Sequence, residues 1–207
     1  MKKILLLVAL LAAAPAVFAQ DYYGVPDYGL SKNTTRVEFY GGMVLPQKNW
    51  KYNGEKVGNT GWTAGIGFQR NVWSFLSLGM DGNYTQFGDG DKAPDGTFLR
   101  TGVATGLVTA RLNLFPSQAT RFYIPAGIGV GHSFAREKHT DGSHVTHDGT
   151  ALAMMLGLGM EFDIDESFIF GVEGRYYLVN TADSMKDDLG KKRFHFTNIM
   201  LKLGYRF

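Results

Sequence analysis

The last fourteen residues, FHFTNIMLKLGYRF (Phe194–Phe207), decide the fold. Ile199, Leu201, Leu203, Tyr205 and Phe207 recur at every second position, with Asn198, Lys202 and Arg206 between them. A period of two is the mark of a strand with one apolar and one polar face. The stretch ends the chain on an aromatic residue, with Tyr205 two positions before it.

The same period recurs upstream, in segments of about ten residues. They run Thr35–Leu45, Gly61–Gln69, Phe75–Phe87, Phe98–Leu114, Arg121–Phe134, Thr150–Asp163 and Phe168–Leu178. With Phe194–Phe207 this makes eight strands. The connections Pro46–Thr60, Gly88–Thr97, Ala135–Gly149 and Val179–Arg193 are long and polar. Arg70–Ser74, Phe115–Thr120 and Ile164–Ser167 are short. Long and short strictly alternate, so a meander of hairpins collects long loops at one end and tight turns at the other. That is the pattern of a transmembrane barrel. The expected fold is all-β: an eight-stranded antiparallel up-and-down transmembrane β-barrel, with both termini on the short-turn side.

Composition agrees. Glycine is 27 of 207 residues, nearly twice the usual share of about 7%. Aromatics are 14%, and there is no cysteine. Disulfides, cysteine-ligated zinc, thiol catalysis and lipidation through cysteine are thereby excluded. With 21 basic and 19 acidic residues and no block of like charge, nothing points to nucleic acid.

At the other end, MKKILLLVALLAAAPAVFA (1–19) has Lys2 and Lys3, an apolar run from Ile4 to Ala14, and small residues Val17 and Ala19. This is a secretory leader cut before Gln20; the run is shorter than the roughly 20 residues of a spanning helix. The expected organisation is leader 1–19, a short periplasmic segment 20–33 and a barrel 34–207.

The polar faces hold Arg36, Glu38, Asp81, Arg111, Glu161, Asp163, Glu173, Arg175, Lys202 and Arg206. Buried charges need partners, and eight strands leave an interior just filled by side chains. A paired lumen network that plugs the barrel is expected, ahead of a polar ion path. Aromatics are expected in two girdles. Trp73, Phe75, Phe115, Phe122, Phe162, Phe168, Tyr205 and Phe207 lie near the short turns. Trp62, Tyr84, Phe87, Phe98, Phe134, Tyr176 and Phe194 lie near the long loops. Glycines 127, 129 and 131 superficially suggest a nucleotide loop, but no helix pattern follows them.

The closing LKLGYRF resembles the C-terminal signal of outer-membrane barrel proteins; PAGIGVG (Pro125–Gly131) and VEGRYYL (Val172–Leu178) strengthen the likeness. From Thr34 to Phe207 the chain resembles the small eight-stranded barrels of the OmpA and OmpX types. The resemblance implies that barrel assembly machinery reads Leu203, Gly204, Tyr205 and Phe207. It also implies outer-membrane lipid as solvent, a monomer, and an extracellular ligand or surface met by four outer loops. No peptidoglycan-binding domain follows Phe207 here, so cell-wall anchoring is not expected to carry over.

Three other readings have weaker support. His139, His144 and His147, with Asp141 and Asp148, suggest a metal loop, but histidines in a loop are more often solvated. Neighbouring His132 and Ser133 point to opposite faces of a strand, unlike the His and Ser two apart of outer-membrane lipid A deacylases. No enzyme activity, cofactor or metal is therefore expected. A soluble ligand-binding barrel would turn its apolar face inward; the terminal aromatic and the sorted loops argue against it. A narrow channel or carrier is the alternative to a structural or surface-interaction role. Deleting Phe207 is expected to lower the level of folded protein in the outer membrane while secretion continues; normal surface levels would contradict the assembly signal.

Overall fold

The computed structural model describes residues 34–47, 51–52, 55–56, 59–88, 98–114, 120–138, 142–180 and 193–207. The leader and the segment 20–33 lie outside them. The strands are β1 (Thr35–Pro46), β4 (Asn59–Trp73), β5 (Leu76–Gly88), β6 (Phe98–Leu114), β7 (Thr120–Lys138), β8 (His144–Asp163), β9 (Phe168–Asn180) and β10 (Arg193–Arg206). A two-residue pair, β2 (Lys51–Tyr52) and β3 (Glu55–Lys56), sits in the first long connection.

The eight long strands form one closed barrel in the order β1-β10-β9-β8-β7-β6-β5-β4. Every neighbouring pair is antiparallel. The seam joins the first strand to the last, from Arg36 opposite Arg206 to Pro46 opposite Phe196. It runs to the end of the chain: Thr35 N–H donates to the Phe207 carbonyl at 3.1 Å, and Phe207 N–H returns to Thr35 at 2.9 Å.

The two faces sort by parity as the alternation predicts. Phe39, Ile66, Met80, Val108, Ile128, Leu158, Leu201 and Leu203 are exposed on the outside, Met80 and Val108 at 64%. Arg111 and Arg121 are 0% exposed. In water, so wide an apolar surface would aggregate; in lipid it is the solvent-matched face. The barrel is inverted relative to a soluble one.

Three details differ from the sequence expectations. First, β7 and β8 continue to Lys138 and from His144, so most of the expected loop Ala135–Gly149 is a hairpin rising beyond the apolar band. On the face that carries Leu152 and Leu156 lower down, β8 here presents Thr146 and Asp148, because water now bathes it. His144 and His147 thus lie on a strand, an odd number of positions apart, and not together in a loop. His139 and Asp141 lie outside the described residues. Second, Phe87 and Phe194 are 1% and 2% exposed. They point inward and do not belong to the girdle, because Phe87 shares its face of β5 with Asp81 and Asn83, and Phe194 its face of β10 with Asn198 and Lys202. Third, the lumen is not polar throughout. Its long-loop half is an apolar cluster of Val44, Phe87, Val103, Leu107, Met155, Tyr177, Val179, Phe194 and Phe196 among others.

Leu158 is 58% exposed on the lipid side. Leu158→Arg is expected to lower refolding stability in phospholipid vesicles by about 2–4 kcal/mol. An unchanged urea midpoint would contradict the assignment of that face to lipid.

Candidate functional site: the filled lumen and the outer rim

The short-turn half of the lumen holds the charges. Strand ends near the tight turns bring Arg36 and Glu38 of β1, Arg111 of β6, Glu161 and Asp163 of β8, and Lys202 and Arg206 of β10 to neighbouring levels. Asp81 of β5 with Glu173 and Arg175 of β9 stands beside them. All of these approach one another in ion pairs.

Glu161 is one hub. It meets Arg36 Nη1 at 3.3 Å, Arg121 Nε at 3.0 Å, and Arg111. Glu38 is a second, with Arg36 Nε and Arg111 Nη1 both at 3.2 Å and Lys202 Nζ at 2.6 Å. Lys202 spans from Glu38 to Glu173 (2.7 Å), which also pairs with Arg175. Arg175 Nη1 reaches Asp81 at 2.9 Å. Asp163 accepts from Arg121 Nη1 at 2.6 Å and Arg206 Nη2 at 2.8 Å.

Aromatic hydroxyls complete the network. Tyr40 donates to Asp81 at 2.6 Å and Tyr123 to Glu173 at 2.6 Å. The Arg111 guanidinium lies 3.3 Å from the Tyr123 ring centre, and that of Arg175 4.4 Å from Tyr40. Two glycines make room for these rings. A Cβ at Gly65 would overlap Tyr40, and one at Gly159 would overlap Tyr123. In so narrow a barrel a ring lies flat against the wall only where the wall has no side chain.

Arg121, Tyr40, Tyr123 and Gln69 (2.8 Å from Arg36 Nη2) are network members beyond the ten charges expected. Arg121 was legible: it shares inward parity with Tyr123 at the start of β7. Above the charges, Thr63, Asn83, Thr85 and Asn198 form a neutral hydrogen-bonded layer. Above that, Phe196 stacks on Tyr177 at 5.0 Å and meets Phe87 edge-on at 5.4 Å.

Chemically this interior is a strut. Each carboxylate already holds one or more cations. The space among Glu38, Tyr123, Glu161 and Lys202 is about 10 Å³, room for about one water.

The residues of the C-terminal signal lie at the seam. Leu203, Tyr205 and Phe207 face outward, while Gly204 faces in, opposite Glu38. Tyr205 packs on Phe168 at 5.2 Å and on Phe207 at 6.3 Å. At the other rim, Trp62, Tyr84 and Phe134 form a continuous aromatic row, with centroids 5.4 and 6.1 Å apart. His132 faces outward, with Nδ1 3.0 Å from Thr150 Oγ1 and Nε2 3.7 Å from Asp148. Ser133 faces inward at 1% exposure, so the two neighbours are separated by the wall.

Glu161→Gln leaves three arginines without their shared carboxylate. Breaking a buried ion pair from one side costs about 3–5 kcal/mol. The variant is expected to lose that much refolding stability in vesicles, whereas Glu166→Gln in an exposed turn changes it by about 0.5 kcal/mol or less.

Solved structures share this fold at low sequence identity. The attachment invasion locus protein Ail of Yersinia pestis, in complex with the heparin analogue sucrose octasulfate, superposes with a TM-score of 0.52 at 17% identity. That match covers 85% of this chain and 99% of that one. Neisserial surface protein A (NspA) gives 0.52 at 10% identity, with 84% and 96% covered. OprG of Pseudomonas aeruginosa gives 0.50 at 15% identity, with 88% and 99% covered. Among curated proteins, none matches the sequence. The outer membrane protein beta-barrel domain profile matches residues 4–207. With that match over nearly the whole sequence, the chain belongs to the outer membrane protein beta-barrel domain family.

Proposed function

We propose that the protein is a closed, monomeric outer-membrane anchor that acts through its outer loops and rim in a structural or surface-interaction role, without enzyme activity. One observation carries this reading: the lumen is filled from the ion-pair hubs to the stacked Tyr177 and Phe196. A channel needs a continuous polar path, and an apolar cap over a neutralised charge cluster opposes one. Binding chemistry is then left to the outside. Ail, whose structure holds a sulfated sugar analogue, uses the same scaffold, although a scaffold alone does not assign a function.

In this reading residues 1–19 are removed on export, and barrel assembly machinery engages Leu203, Gly204, Tyr205 and Phe207 before the seam closes on Thr35. The rim geometry supports the reading of a non-enzymatic protein against one specific alternative, a His–Ser hydrolase. His132 and Ser133 lie on opposite sides of the wall, so they cannot share a proton.

Planar-bilayer recording of the refolded chain tests the closed lumen. No unitary steps are expected. Reproducible steps that vanish on boiling the protein would replace the anchor with a small-solute channel. In parallel, cells displaying the protein are expected to adhere to immobilised sulfated glycan, and to lose adhesion when 181–192 is replaced by a short Gly-Ser linker. Adhesion unaffected by any loop replacement would contradict a surface-interaction role.

A further inference from the structure

The seam joins two strands whose inner faces carry charge of the same sign. The ladder sets Arg36 of β1 directly across from Arg206 of β10. Both point into the lumen, with side chains 2% and 11% exposed. Directly opposite positions on one face stand about 5 Å apart, and like charges so placed destabilise a sheet. Lys202 adds a third cation to the inner face of β10, and Glu38 is the one carboxylate on either strand. The two faces that must meet therefore carry a net charge of +2.

The other neighbour of β1 does not neutralise it. β4 has no acidic residue and offers Arg36 only the neutral Gln69, at 2.8 Å. The compensating charge comes from β8, three strands from β1 around the sheet. Glu161 meets Arg36 at 3.3 Å, and Asp163 accepts from Arg206 at 2.8 Å. These two carboxylates follow one another on the inner face of β8 and match the +2 of the seam.

The strand between them leaves the way clear. Gly171 of β9 stands opposite Glu161 on one side and Lys202 on the other. No side chain therefore rises between β8 and β10 at that level. The seam also joins the two ends of the chain, so its pairing carries the largest loop-closure cost in the barrel. Repulsion between the arginines adds to that cost until carboxylates are within reach.

We propose that Glu161 and Asp163 form an electrostatic latch for barrel closure: β1 and β10 pair only after β8 has set its carboxylates against the seam arginines. The latch fixes an order of assembly. Strands β6 to β10 pair first and the β1–β10 seam closes last. A chain without the latch stalls as an open sheet. The device is independent of what the outer loops bind.

The absence of cysteine makes closure measurable by engineered disulfides. Met43→Cys with Ile199→Cys places two thiols opposite each other across the seam, away from the C-terminal residues. Val108→Cys with Ile128→Cys does the same across β6 and β7. Each pair is oxidised with copper phenanthroline at intervals while the chain refolds into phosphatidylcholine vesicles. The β6–β7 disulfide is expected before the seam disulfide. Asp163→Asn and Glu161→Gln are each expected to delay the seam disulfide at least about tenfold, the factor one charge-assisted hydrogen bond carries. The β6–β7 disulfide is expected to keep its rate. Adding Arg206→Gln to Asp163→Asn removes the repulsion and is expected to restore most of the lost rate. Adding Arg121→Gln instead removes another partner of Asp163 that lies off the seam, and is expected to leave the delay in place.

A seam disulfide that forms first, or an equal delay of both disulfides, would overturn the latch. So would seam closure at the original rate in both single variants, or rescue by Arg121→Gln as complete as by Arg206→Gln. If Asp163→Asn never closes, the variant that also carries Arg206→Gln decides: closure supports the latch, and a chain that stays open overturns it.

Discussion

Every backbone N–H and C=O that crosses a bilayer must find its partner within the protein, since hydrocarbon offers none. For a chain of strands the only solution is closure, and closure rests on the seam between β1 and β10. The reciprocal bonds between Thr35 and Phe207 carry that seam to the final residue. This gives the terminal aromatic a structural place as well as a proposed recognition role. Phe207 ends the ladder at the short-turn rim, and Tyr205 ties it through ring contacts to Phe168 on β9.

Closure with eight strands has a second consequence. The interior is too narrow for bulk water, so whatever faces inward must satisfy itself. The chain solves this in layers. Shared carboxylates neutralise arginines from strands on opposite sides of the barrel. A tier of threonine and asparagine then exchanges neutral hydrogen bonds, and an apolar cap needs no partners. Rings lying flat over Gly65 and Gly159 show how little room remains. A lumen packed in this way braces the wall and leaves recognition to the outside.

The outside has two solvents. Below the Trp62–Tyr84–Phe134 row the strands present aliphatic side chains to lipid. Above it, β7 and β8 continue as a polar hairpin into water. The rim is where the two meet.

Local alternation made the eight strands, their faces and the sorting of the loops readable, because the period of two is a property of neighbouring residues. Each of the ten expected charges could be placed on the inner face by parity alone. Arg121 was readable by the same rule. Parity set Phe87 with Asp81 and Asn83, and Phe194 and Phe196 with Lys202, but an aromatic residue near a rim suits a girdle as well as a plug, and residue type alone put Phe87 and Phe194 in the expected girdle. It could not show that β7 and β8 outrun the membrane, since Thr and His occur in loops and in solvated strands alike. Nor could it say which charges meet. Glu161 pairs with Arg36 across 125 residues, and Asp81 with Arg175 across 94. Those partnerships depend on strand stagger and on which side of a closed cylinder each strand occupies. The sequence by itself determined that the chain forms a barrel and which face of each strand is polar. Only the tertiary structure decided which residues meet across the lumen, because contact between strands not adjacent in the sheet exists only once the ring has closed.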